Sequence, residues 1–258
     1  FFKEKLEKYF SIIIFYLIST SSIIIFLSGG RTSFALLLIF LFMLFIFLNK
    51  YKKVLSITYL FIAVSIFGFS QINETKSLVY RLFVISFHQV TNEIYTNTKI
   101  KSLQEDKRQL KDNLRVFSDD YHNHYKLALH LFKSEPVFGQ GPKGFRFYCR
   151  SVNYNPKKEL GICSTHPHNY LMQIISELGV VGLLFYLLAL SYVVINLITC
   201  IKSNDNKKNK ELLVISSCMI LISFFPFFPS GNFFNNWISI INYYFLGIYF
   251  YSYNKVYN

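Results

Sequence analysis

Apolar residues run through this chain in long unbroken blocks: "SIIIFYLISTSSIIIFL" (11–27), "FALLLIFLFMLFIFL" (34–48), "VLSITYLFIAVSIFGF" (54–69), "VVGLLFYLLALSYVVINLI" (180–198), "LLVISSCMILISFFPFF" (212–228) and a last stretch from about 237 to 251. Each approaches the roughly 17–25 residues a helix needs to cross a bilayer. The 54–69 block is short, and the 34–48 block must borrow flanking residues. One such block could be the core helix of a soluble protein. Six in one chain predict an all-α polytopic membrane protein. The blocks divide the chain into three transmembrane helices over 1–69, a loop domain over 70–169 and three transmembrane helices over 170–258.

Charge supplies an orientation. Short loops rich in Lys and Arg stay cytoplasmic. Lys3, Lys5 and Lys8 precede the first block, Lys50, Lys52 and Lys53 follow the second, Lys202, Lys207, Lys208 and Lys210 follow the fourth, and Lys255 follows the last. These positions alternate correctly with six crossings. The opposite, extracytoplasmic side then receives "SGGRTS" (28–33), residues 70–169 and "PSGNFFNN" (229–236). The net charge of +13 therefore comes partly from cytoplasmic anchors. No basic helix or aromatic-basic platform points to nucleic acid. All six histidines fall in the long loop.

Within that loop, 70–115 is polar and weakly patterned, although "SFHQVTNEIYTNTKIKSLQEDKRQLKDNLR" (86–115) could hold a helix. "FSDDYHNHYKLALHLFKSEP" reads as a helix, with Ser118 as N-cap, Asp119 and Asp120 at its positive end and Lys133 near its close. Tyr121, Tyr125, Leu129 and Phe132 recur at helical spacing and predict its apolar face. Glu135-Pro136 ends it. "VFGQGPKGFRFYCR" then predicts a tight irregular turn. In an oxidising compartment Cys149 and Cys163 are expected to pair as a disulfide, closing a small loop worth roughly 3 kcal/mol in the chain-entropy account. That bond would hold His166 near the glycine turn. Cys200 and Cys218 read as packing thiols.

Four features could carry chemistry. Arg31 in "SGGRTS" presents a planar fork suited to phosphate, or it snorkels as a topology anchor. "GQGPKGFR" (139–146) lacks the strand before and the Gly-Lys-Ser/Thr end of a nucleotide loop, so it reads as a structural turn carrying Lys143, Arg146 and Arg150. His166-Pro-His168-Asn169 sets two imidazoles on a stiffened backbone, with Asn169 positioned to cap a helix beginning near Tyr170. Histidine is the commonest general base. A zinc site of His122, His124, His166 and His168 is the alternative, although the spacing matches no strong zinc signature, and a plain interfacial pair is another. Asp119, Asp120 and Glu177 admit a carboxylate-pair reading. Capping explains the aspartates more simply, and Glu177 would orient an arginine or histidine or mark the bilayer edge.

Taken together, "SGGRTSFALLL", "ALHLFKSEPVFGQGPKGFR" and "CSTHPHNYLMQIISELGVVGLL" resemble the O-antigen ligase and O-antigen polymerase superfamily, in the family's own order. The histidine-asparagine segment is the most specific of the three. The resemblance implies a GT-C-like membrane glycosyltransferase that moves a glycan from undecaprenyl pyrophosphate to an acceptor sugar at the periplasmic face of the bacterial inner membrane. Lipid A-core would be the acceptor of a ligase, and a repeat unit that of a polymerase. No cofactor, nucleotide sugar or metal is implied, because the pyrophosphate linkage carries the energy. Carried onto these positions, the resemblance makes His168 the general base and His166 its companion or a substrate contact. Arg31 becomes the pyrophosphate ligand. A second arginine is expected earlier in the loop. Arg115 is the nearest match but stands farther from Pro136 than the pattern has it, which leaves Arg146 or Arg81 for the role. The chain also resembles the C-terminal portion of a larger member, with further spans expected upstream. A transporter or lipid-binding membrane protein is the reading from another class. It would favour ionisable groups in mid-span, and the blocks carry none.

Overall fold

A computed structural model of the chain describes residues 2–85, 119–150, 164–203 and 210–257. All regular structure in them is helical. The first three apolar blocks lie in α1 (Phe2–Leu27), α2 (Arg31–Phe47) and α3 (Lys52–Gln71), the last entered through a 3₁₀ turn at Asn49–Tyr51. The loop region contributes α4 (Asn73–Val79), which runs into a π-helical turn at Tyr80–Ile85, then α5 (Asp119–Ser134) and α6 (Gly144–Arg150). The remaining blocks lie in α7 (Tyr170–Lys202), α8 (Lys210–Ser223) and α9 (Asn236–Tyr257).

Two helical stretches are long and apolar enough to cross a membrane, Asn49–Gln71 and Tyr170–Lys202; Ser11–Leu27 and Arg31–Phe47 are shorter apolar helices. A helix suits such a sequence because it satisfies every backbone polar group within the segment, where hydrocarbon offers no partner. α1 stops where Gly29 takes a left-handed conformation (φ 71°) and donates its N–H to Phe26 O at 3.0 Å.

A few contacts fix which helix ends lie together. Phe26 packs on Phe34 and Phe69, with ring centroids 5.8 and 5.5 Å apart. This joins the end of α1, the start of α2 and the end of α3. The Tyr51 hydroxyl donates to Glu211 Oε2 at 3.0 Å and Lys50 Nζ stands 3.8 Å from Glu211 Oε1. The end of α2 therefore meets the start of α8, and the two helices, which pack together, run antiparallel. Tyr170 packs on Phe224, centroids 6.1 Å apart, joining the start of α7 to the end of α8. Arg31 and the residues just before Tyr170 consequently share one end of the bundle. Lys50, Lys52, Lys53, Lys202, Lys210 and Lys255 lie toward the other.

The main core joins Leu41, Leu55 and Ile62 to Leu213, Val214, Cys218 and Tyr249. A second, small core of Leu127, Ala128, Leu131 and Phe145, with Met172 and Cys149 against it, seats α5 and α6 on the first turns of α7. It corrects the predicted face of α5. The buried stripe is His124, Leu127, Ala128 and Leu131, while Leu129 is 41% exposed. The tyrosine stripe misleads because α5 packs partly through an imidazole: His124 lies edge-on to Phe145, centroids 6.3 Å apart. The helix is present from Asp119 onward; Ser118 and the side chains of Asp119 and Asp120 lie outside the described residues. The helical continuation over 73–85 carries no pattern that announces it. Cys149 is disulfide-bonded and Cys200 and Cys218 are free and buried; Cys163, the fourth cysteine, lies outside the described residues.

Candidate active site

The site is assembled on a break in α7. Gly179 has φ 65° and ψ −159°, which no helix contains. The break unpairs backbone groups on both sides, and buried backbone groups need partners. The glycine turn supplies them: Val180 N donates to Pro136 O at 2.9 Å, Val181 N to Val137 O at 3.2 Å, and Gln140 N to Ser176 O at 3.0 Å. The two segments touch backbone to backbone. A Cβ added at Gly139 would fall 2.5 Å from Glu177 C, and one at Gly179 would fall 2.3 Å from Val137 O. Glycine is required at both positions for closeness as well as for positive φ.

Glu177, fully buried, locks this junction. Its carboxylate accepts from Lys143 N (2.9 Å), Phe145 N (3.2 Å) and Gln173 Nε2 (3.1 Å). The sequence did not foresee these backbone partners; of the expected partners, Arg146 lies within its electrostatic reach. Glu177 closes the first turn of α6. Gln173 extends the network to the loop before α9, donating to Asn232 Oδ1 at 2.9 Å and accepting from Phe233 N at 2.8 Å.

The residues before α7 are held as tightly. Asn169 caps α7 as expected, its Oδ1 accepting from Met172 N at 3.0 Å. Its amide also donates to Pro226 O at 2.8 Å and Phe228 O at 3.2 Å. His168 adopts a left-handed backbone, φ 56°, and its carbonyl accepts from Ser230 N at 2.8 Å. One short segment is thus pinned to the loop between α8 and α9.

On that segment the imidazoles converge. The ring of His168 lies 4.1 Å from that of His166 and 5.4 Å from that of His124, and Tyr121 meets it edge-on at 5.6 Å. His168 Nε2 pairs with Ser164 Oγ at 2.9 Å and His166 Nδ1 with Thr165 Oγ1 at 3.0 Å. Burial and the neighbouring His124 hold His168 below the usual histidine range. His166 is pushed down to about 4, first by burial, then by the like charges that His168 and His124 would carry, opposed by the adjacent Ser230 backbone and reinforced by Arg146. Crowding imidazoles away from water disfavours the charged form. Both rings are neutral bases at neutral pH.

Around them sit polar atoms closed to solvent and given no hydrogen bond by the described residues: Arg146 Nε, His166 Nε2 and Ser230 Oγ. Three segments contribute them, and a polar ligand would satisfy them. Arg146 therefore stands in the site, whereas Arg115 and the side chains of Arg81 and Arg150 lie outside the described residues. Arg31 is the first residue of α2, at the histidine end of the bundle. The zinc set is not assembled among the described residues. His124, His166 and His168 share ring contacts but do not group as metal ligands, and the His122 side chain lies outside those residues.

The order of these parts along the chain is the deciding feature. Arg31 opens a helix, a glycine turn follows the amphipathic α5, and the histidine-asparagine cap opens α7. The O-antigen ligase family model matches residues 15–187, which contain all three. The chain belongs to the O-antigen ligase family. No curated protein and no solved structure matches it. Membership makes this a membrane protein of the glycosyl-transfer kind acting on lipid-linked glycans, and the match ends inside α7, just past the Gly179 break. Of the residues named from the sequence, the structure brings His166, His168 and Arg146 together, while Arg31 lies at the same end of the bundle. Sequence reasoning missed the parts that the fold places around them: Tyr121 against His168, Ser164 on its Nε2, and the Glu177–Gln173–Asn232 network. It weighed His124 only as a zinc ligand. Their signal is three-dimensional, because each acts through a partner 4 to 60 positions away.

Proposed function

We propose that the chain is a glycosyltransferase that moves a glycan from undecaprenyl pyrophosphate to an acceptor sugar, that of lipid A-core, at the outer face of the bacterial inner membrane. Six crossings put the lysine-rich end of the bundle in the cytoplasm and the histidines in the periplasm. The observation that carries the reading is His168: a neutral imidazole, fixed in a left-handed turn and ringed by polar atoms that have no hydrogen-bond partner among the described residues. In the reaction the acceptor hydroxyl takes the place of Ser164 at Nε2 and passes its proton to His168. The oxygen attacks the anomeric carbon as the bond to the pyrophosphate oxygen breaks, and undecaprenyl pyrophosphate leaves with the electron pair. Arg31 and Arg146 stabilise the charge that develops on it, the step where preorganised electrostatics contribute most. Burial and His124 keep His168 uncharged, and His166 contacts the sugar.

Glycan profiling of a strain lacking the protein tests the reading. Long chains accumulating on the lipid carrier, with bare lipid A-core, are expected. Single repeat units on lipid A-core would make the same chemistry a polymerisation. An unaltered profile would refute both.

Two further outcomes follow from the residues. Arg31→Lys keeps the charge and loses the planar fork that grips two phosphate oxygens at once. Transfer is expected to fall by at least about tenfold, given roughly 1.5–3 kcal/mol for a charged hydrogen bond. Transfer at the wild-type rate would reduce Arg31 to a topology anchor. The second outcome concerns pH. A base held below the ordinary histidine value of about 6.5 stays unprotonated as pH falls through that value. The acid limb of kcat/KM is therefore expected below pH 6.5, as a property of the coupled histidines. Stability has the same sign. Below about 6.5 the unfolded chain binds protons that the folded site refuses, so the folded site is favoured above that pH and weakens toward the value of about 4 at His166. An acid limb above 6.5 would exclude His168 as the base.

A further inference from the structure

α7 is 33 residues long, more than the roughly 17–25 that a bilayer requires. Counting back from Lys202, the last basic residue of the helix, roughly 30 Å of helix at about 1.5 Å per residue ends near Val181. That is where α7 breaks and where the glycine turn attaches. Below the break an exposed apolar stripe runs down the helix through Val181, Leu184, Phe185, Leu188, Tyr192 and Ile195. Its spacing of three and four residues makes it one continuous face, the face that meets lipid tails. Its upper edge does not stop at α7. Val137 is tied to Val181 by the backbone bond at 3.2 Å, and Val137 and Phe138 are 53% and 74% exposed. A phenylalanine so exposed in a turn locked on both sides is a surface awaiting an apolar partner. Lys133 and Lys143, both exposed, flank it with the charge that lipid phosphates attract.

We infer that the Val137–Phe138 turn is a lipid anchor: it continues the lipid face of α7 and sits in the bilayer at the hydrocarbon boundary on the histidine side. The occupant is the acyl region of the surrounding leaflet. The consequence is a fixed height for the site. The turn is bonded to the break in α7, the break carries Glu177, and Glu177 holds α6 with Arg146. The same contact that seats Phe138 in lipid therefore sets Arg146 just outside the hydrocarbon, level with lipid headgroups. The inference needs the span and the turn but not the proposed reaction.

The test uses the full chain in vesicles of phosphatidylethanolamine and phosphatidylglycerol. Trp237, the one tryptophan, is removed as Trp237→Phe, and Phe138→Trp supplies the reporter. Lipid brominated high on its acyl chains is expected to remove most of the reporter's fluorescence, while iodide in the water removes little. Efficient iodide quenching with no bromolipid quenching would overturn the inference. Should Phe138→Trp not fold, Phe138→Cys carrying a nitroxide answers the same question. Collisions with oxygen should dominate over those with a water-soluble nickel chelate, and the reverse would overturn it. Both readouts are independent of transfer, so a chain that anchors without transferring would refute the proposed reaction alone.

Discussion

His168→Ala is expected to abolish glycan transfer and to leave the chain inserted in the membrane. Removing a general base costs typically about 10²- to 10⁴-fold, so transfer should drop to the limit of detection. The structure supplies a cleaner variant. His168 stands at φ 56°, a conformation in which histidine, asparagine and aspartate are enriched and alanine is not. Alanine therefore removes the base and also strains the turn. His168→Asn keeps a side chain suited to the left-handed region, preserves the carbonyl that accepts from Ser230 N at 2.8 Å, and removes only the basic nitrogen. If the two variants lose transfer equally, the imidazole is responsible. If His168→Asn transfers normally while His168→Ala does not, the residue serves the turn and the general-base assignment fails. His166→Ala separates the pair. It removes the ring 4.1 Å away but leaves burial and His124, the causes that hold His168 down, so it should lower the limiting rate and leave the acid limb nearly in place. The measurement is transfer to acceptor by purified chain in lipid vesicles, followed against pH.

How much of this the sequence discloses depends on the scale of the signal. The helices were legible because their cause is local and cumulative: fifteen to twenty apolar residues leave a chain few other options in lipid. The cap at Asn169 and the turn at 137–141 were legible for the same reason, since asparagine before an apolar run and clustered glycines act within a few positions. Membership of α5 in the fold was legible, but its rotation was not. The sequence offers two stripes, one of tyrosines and one containing His124, and only the surface that α5 meets decides between them. That surface is Phe145, on the next helix. Glu177 was legible as a carboxylate near an edge and illegible as a lock, because its partners are backbone N–H groups of Lys143 and Phe145, and any residue but proline offers one. Arg146 emerged from several loop arginines only once Glu177 and the glycine contact were known to draw α6 against α7.

Gly179→Ala and Gly139→Ala should both dismantle the outer assembly, and Gly141→Ala should not. All three glycines have positive φ, at 65°, 68° and 84°, so backbone strain alone would rank them alike, at about 1–2 kcal/mol each. Contact separates them. A methyl at 179 would lie 2.3 Å from Val137 O and 2.5 Å from Val137 C; one at 139 would lie 2.5 Å from Glu177 C and 2.6 Å from Leu178 N. These neighbours are backbone, held by the bonds to Pro136, Val137 and Ser176, and cannot swing aside as a side-chain tip would. At 141 nothing lies within 4 Å. At 179 the pair φ 65°, ψ −159° is also one that glycine alone adopts readily. Relief at either tight position means separating the turn from α7, which breaks the backbone bridge, uncaps buried Glu177 and strips Arg146 from the histidines. The expected loss exceeds about 3 kcal/mol, the range in which broken buried networks and special backbone positions fall. It should appear as early proteolysis between α5 and α6 and as lost transfer, while α7 remains in the membrane. Gly141→Ala should melt within a few degrees of the wild type and keep its activity. Wild-type stability in Gly179→Ala would mean that turn and helix do not touch, and the site as described would have no foundation.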